Sequence, residues 1–199
     1  MLGSGPEDGM AVERKLMTAE ELWARPNDGM RHELVEGDLR TMSPTGLEHG
    51  GYEHSLGYRL GQWLEEHPSG RLAVGEVGFR LRRDPDTVRA PDAAFVRAER
   101  LPGGTLPRAY FEGAPDLAVE IVSPGDTASE IEEKVRDWLD GGASLVWVVY
   151  PSAPSLTAYR SDRSARHHGP QDEVDGGEVL PGFSMRLIDL LRPPGQPRA

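Results

Sequence analysis

The stretch Asp116-Leu117-Ala118-Val119-Glu120-Ile121-Val122 constrains this chain more than any other. Apart from its charges it is continuously apolar, the pattern of a strand covered on both faces, so the chain must build a sheet with a layer on either side. Side chains alternate along a strand, which puts Glu120 on one face with Ala118 and Val122, and Leu117, Val119 and Ile121 on the other. A lone ionised carboxylate in such a place costs several kcal/mol unless a cation or a metal ion meets it. An edge position, an ion pair and a metal site all satisfy that demand.

Strand and helix signals alternate around this stretch. Thr18 and Glu21 form a capping box that opens a short helix over residues 19–25, ended by Pro26-Asn27-Asp28-Gly29. Residues 31–36 and 39–42 flank Gly37-Asp38 and predict a hairpin. Tyr52, Leu56, Leu60, Trp63 and Leu64 recur at helical spacing and predict the longest helix, Leu47–Glu66. Strands are expected at 72–81, 92–96 and 116–122, although Gly75 and Gly78 weaken the first. A helix over 129–140 turns Ile131, Val135, Trp138 and Leu139 inward and stops at Gly141-Gly142. Leu145–Tyr150 reads as another buried strand with 156–160 beside it, 161–177 as a polar loop, and 183–191 as the end of the domain. This order predicts one α/β (α+β) domain over 16–192, with disordered tails at 1–15 and 193–199.

The chain has no cysteine, which removes disulfides, thiol nucleophiles and thiolate zinc sites, so any metal must sit on oxygen or imidazole. Among its 199 residues, 22 Lys and Arg stand against 33 Asp and Glu, a net charge of −11 that repels a polyanion unless a basic stripe or bound cations intervene. No apolar run nears the roughly 20 residues of a membrane span. The first residues lack the apolar core of a secretory signal, and a cytoplasmic location is expected.

Against that background a few polar residues stand out. Asp92 follows Pro91 and opens the apolar Ala93-Ala94-Phe95-Val96, so an adjacent strand can present a second carboxylate beside Glu120. Lys134, three after Ile131 and four before Trp138, borders the inward stripe of its helix and could offset charge on a phosphate, or simply balance Glu130 and Glu133. His49 begins the buried face of the long helix, and Glu33 lies on a strand able to cover the same pocket. His167-His168, without a third ligand at a metal spacing, read as surface residues. Ser55 and Ser123 lack a Gly-x-Ser-x-Gly elbow, and no nucleotide-binding glycine pattern is present.

Taken in order, His32-Glu33-Leu34-Val35-Glu36-Gly37-Asp38-Leu39, Ser43-Pro44, Glu48-His49, Pro91-Asp92-Ala93-Ala94-Phe95-Val96, the Ala114 to Pro124 block and Leu180-Pro181-Gly182-Phe183 resemble the Uma-type restriction endonuclease family of the PD-(D/E)xK nuclease superfamily. The resemblance implies a restriction-endonuclease-like mixed sheet flanked by helices, with additional N-terminal strands. It implies a catalytic set of Asp92, Glu120, Lys134, Glu33 and His49, with Asp92 and Glu120 holding Mg (or Mn) for hydrolysis of DNA phosphodiester bonds. The superfamily's usual lysine position falls on Val122, and relatives of this type draw the lysine from the next helix, which points to Lys134. The alternative is a catalytically inactive nuclease-fold module for nucleic-acid or protein interaction. A homodimer is expected, because a small acidic nuclease gains from pairing two sites on a duplex.

Overall fold

The computed structural model describes residues 15–75 and 77–192; 1–14 and 193–199, where the expected tails fall, lie outside the described residues. In chain order the elements are α1 (Ala19–Trp23), β1 (Arg31–Val35), β2 (Asp38–Met42), α2 (Leu47–Glu66), β3 (Gly70–Val74), β4 (Phe79–Arg82), β5 (Thr87–Arg89), β6 (Ala93–Arg97), β7 (Phe111–Glu112), β8 (Leu117–Ile121), α3 (Ala128–Asp140), β9 (Leu145–Tyr150), β10 (Ser155–Arg160), β11 (Ala165–His168), β12 (Glu173–Gly176), β13 (Leu180–Arg186) and α4 (Leu187–Leu191). Capping boxes start both α1, at Thr18 and Glu21, and α3, at Thr127 and Glu130. In each, two otherwise orphaned backbone donors are satisfied reciprocally.

The main sheet has six strands in the order β11-β10-β9-β8-β6-β3. Its centre, β8, pairs antiparallel with β6 and parallel with β9, so the sheet is mixed. Every residue of β8 is buried, as its apolar run demands. Leu117, Val119 and Ile121 pack with Leu56, Leu60 and Trp63 of α2. Ala118 on the opposite face packs with Ile131, Val135 and Trp138 of α3. Two helices therefore cover the two faces of one sheet, the arrangement that the apolar run requires.

A second sheet, β2-β1-β5-β4-β7, meets α3 through Phe79, whose ring stands edge-on to Trp138 at 6.0 Å. Arg89 of β5 crosses the same junction. Its guanidinium donates to Asp137 at 2.6 and 2.8 Å and to Glu33 at 2.9 Å, and all three residues are buried. Such a group holds together only while complete, because removing one partner leaves a buried charge unmet.

Several expectations need correcting. The strand expected at 72–81 is two strands in different sheets, β3 and β4, separated where Gly75 takes a φ of 75°. The hairpin turn is Glu36-Gly37, not Gly37-Asp38: both residues have positive φ, and Val35 pairs with Asp38, as a two-residue turn matched to strand twist requires. The supposed loop at 161–177 contains β11 and β12, whose short polar strands carry little hydrophobic signal. His168, read as a surface residue, is 3% exposed, and burial pushes its imidazole below the ordinary range. His167 beside it is exposed.

Candidate functional site

The register of β6 against β8 sets Ala93 opposite Val119, and one step further brings Asp92 opposite Glu120. The two carboxylates are therefore neighbours across the strand pair, and they act on each other through charge, each with its own hydrogen-bond partners. Asp92 is pinned there. Its backbone N–H donates to the Val119 carbonyl at 3.0 Å, and its Oδ2 accepts from the Ile121 N–H at 2.6 Å. Its other oxygen, Oδ1, faces His49 Nε2 at 3.1 Å and Arg31 Nη2 at 3.8 Å.

Glu120 faces α3. Oε2 accepts from Lys134 Nζ at 2.7 Å and Oε1 from Trp138 Nε1 at 2.7 Å. Burial pushes its carboxyl up, the Lys134 ammonium pulls it back, and the charges of Asp92 and Glu33 push it up again. Burial alone would lower Lys134, but Glu120 and Glu33 hold it above the ordinary lysine range. Lys134 is therefore a firmly protonated cation, suited to stabilising negative charge and unsuited to accepting a proton. Glu33 accepts from Arg89 and from the Ala90 N–H at 2.9 Å, so it reaches the strand end carrying Asp92 without bonding to Asp92.

His49 comes from the first turns of α2, and its Nδ1 meets Ser123 Oγ at 3.1 Å. The Asp92 hydrogen bond raises its pKa while burial opposes the rise. Glu53, one turn further on, lies 3.3 Å from His49 Nε2. Burial first, then the Asp92 charge, raises its carboxyl. A small cavity of about 180 Å3 opens beside His49, walled by Tyr52, Val122 and Ser123.

All five residues singled out in the sequence thus come to one region, in two linked groups. Asp92 joins His49, and Glu120 joins Lys134, while Glu33 acts on the second pair through charge. Sequence reasoning missed Glu53, Ser123, Arg31 and the Trp138 donor. Glu53 could have been found, since His49-x-x-x-Glu53 places both side chains on one face of a helix.

The donor atoms fit a divalent cation, though not where two strand carboxylates alone would put it. Ligand atoms of His49, Glu53 and Asp92 lie within 4.8 Å of one another. Glu120 has both oxygens engaged by Lys134 and Trp138. Among the described residues no helix is long and apolar enough to cross a membrane.

This mixed sheet with flanking helices defines a restriction-endonuclease-like architecture. The sequence matches the model of the Uma2 family, described as "Putative restriction endonuclease", over residues 19–190, and the chain belongs to that family. Among solved structures the fold is similar to that of a putative nuclease of DUF820 from Anabaena variabilis ATCC 29413, with 19% identity and a TM-score of 0.75 over 88% of this chain and 97% of that one. No curated protein matches the sequence.

Proposed function

We propose that the chain is a metal-dependent endonuclease that hydrolyses DNA phosphodiester bonds at Asp92. The observation that carries this reading is the convergence of His49, Glu53 and Asp92 on one point, within one strand pairing of the Glu120–Lys134 pair. Asp92, held by two backbone groups, would offer Oδ1 to such an ion, with His49 and Glu53 as further ligands. A bound divalent cation supplies charge neutralisation at the phosphate and a more acidic water nucleophile. Glu120 orients Lys134, whose ammonium offsets the charge that grows on the phosphate oxygens. The family resemblance implies Glu120 as a further ligand, and Oε2, which accepts from Lys134, is the oxygen it would offer. The ion is Mg2+ or Mn2+, and the imidazole in the set favours Mn2+. Two copies paired about a twofold axis would bring one site to each strand of a duplex.

The second reading, an inactive nuclease-fold module, draws support from one fact: both oxygens of Glu120 are already satisfied inside the protein. Calorimetric titration with manganese separates the two. The nuclease reading expects saturable binding that weakens about tenfold or more in Asp92→Asn and in Glu53→Gln, since an amide oxygen is a poorer ligand than a carboxylate. Absence of manganese binding by the unmodified protein would leave the interaction module.

A further inference from the structure

A second cleft, of about 450 Å3, lies between α1, β1 and Tyr110, and its wall includes Glu33 and Ala90 next to the Asp92 site. Trp23 ends α1 and stays 56% exposed, an unusual position for the largest apolar side chain. Its ring stands edge-on to Tyr110, with centroids 5.4 Å apart. Tyr110 lies close over Gly78, where a Cβ would meet its ring carbons at 2.3 Å, so only glycine leaves the tyrosine room. The two rings thus form an edge-to-face pair beside the Gly78 backbone, with Trp23 still half exposed.

Arg25 and Arg31 line the same cleft. Arg25 is 3.5 Å from Asp28, and Arg31 reaches from the cleft to within 3.8 Å of Asp92 Oδ1. Arg31 therefore links the cleft to the carboxylate site, while Asp28 and Glu33 in the same lining offset part of the positive charge. An acidic chain with a net charge of −11 cannot rely on a broad basic face for a polyanion. Stacking on aromatic rings offers a charge-independent source of affinity.

We propose that this cleft receives an unpaired nucleobase of the DNA strand being cut, with the base against Trp23 and the adjoining phosphate facing Arg31. The inference rests on the phosphodiesterase reading and narrows it, naming single-stranded DNA, or a strand with a base turned out of the stack, as the preferred substrate. Within an intact duplex the base must first be unstacked, so a single strand binds better.

The test is fluorescence anisotropy with an end-labelled oligothymidylate of about 12 nucleotides, within the site size of single-strand binders, and with its duplex, both in calcium. The single strand is expected to bind about tenfold or more tightly than the duplex, Trp23→Ala to lose about tenfold of that affinity, and Trp23→Phe to keep most of it. Thermal unfolding of each variant shows that the fold is kept, and Trp23→Phe reports on the ring where the alanine variant does not fold. Equal or tighter binding of the duplex, or full affinity without the aromatic ring, overturns the proposal. Manganese calorimetry on the same samples separates the failures. Normal metal binding with no effect of Trp23 removes the base cleft alone, whereas no metal binding by the unmodified protein removes the nuclease reading and this proposal with it.

Discussion

At the scale of single residues, the Glu120–Lys134 pair carries the sharpest energetic statement. Glu120 is 3% exposed and the Lys134 side chain 17%, so each charge lies largely out of water and depends on the other. In chelator, Glu120→Gln is expected to destabilise the protein by about 3–5 kcal/mol, because it strands the ammonium. Lys134→Met should cost a similar amount by stranding the carboxylate, and the double variant should recover most of the loss. Urea unfolding of the four proteins measures this coupling. Strict additivity would mean that the two side chains do not depend on each other. Trp138 adds a third party, for its indole N–H satisfies the remaining oxygen while its ring fills the core between the sheets. One buried acid thus ties α3 to β8 through a cation and an indole N–H, which explains how a charge is accommodated within so apolar a strand.

At the scale of elements, Asp86 binds α1 to the second sheet. Its Oδ2 accepts from the Ala19 N–H at 2.7 Å, in the first turn of α1, and from Arg80 Nη2 at 2.6 Å. Burial pushes its carboxyl up, but Arg80 and the Ala19 amide prevail and hold it below the usual aspartate range. A depressed folded-state pKa gives stability that is fully present above the unfolded value, about 3.9, and is lost as pH falls through the folded one. The protein should therefore lose stability below about pH 4, and Asp86→Asn should cost about 3 kcal/mol at neutral pH while flattening that acid limb. Thermal midpoints of both proteins across the acid range check this, and an unchanged acid limb would contradict it. The α1 capping box, the helices α2 and α3 and the strands β8 and β9 were legible in the sequence because each is set by local periodicity or by a run of apolar residues. Asp86 was not legible, because its meaning lies in partners 67 residues away at Ala19 and across a turn at Arg80. The same reason hid the split of β3 from β4, since a glycine bend looks alike whether the chain continues one strand or changes sheet. In the candidate site, Asp92 and Glu120 stood out as charges in apolar strands, whereas the pairing of His49 with Glu53 depended on α2 reaching the sheet end where Asp92 begins.

At the scale of the whole molecule, an acidic surface and a deep carboxylate site together define how a polyanion could be handled. Net charge works against long-range attraction, so on the proposed reading affinity arises locally, from bound cations, from Lys134 and Arg31, and from aromatic contact. The two faces of the main sheet divide the work of holding these groups. α3 brings Lys134 and Trp138 to Glu120 from one side, and the start of α2 brings His49 and Glu53 to Asp92. The register of β6 on β8 joins the two halves. The most direct test of this account is the nicking of supercoiled plasmid with manganese, magnesium or chelator, by the unmodified protein and by Asp92→Asn. Conversion to open circles should occur with either metal, faster with manganese, cease in chelator, and fall by about a hundredfold or more in the variant. Nicking that persists in chelator, or that Asp92→Asn performs as well as the unmodified protein, would contradict it.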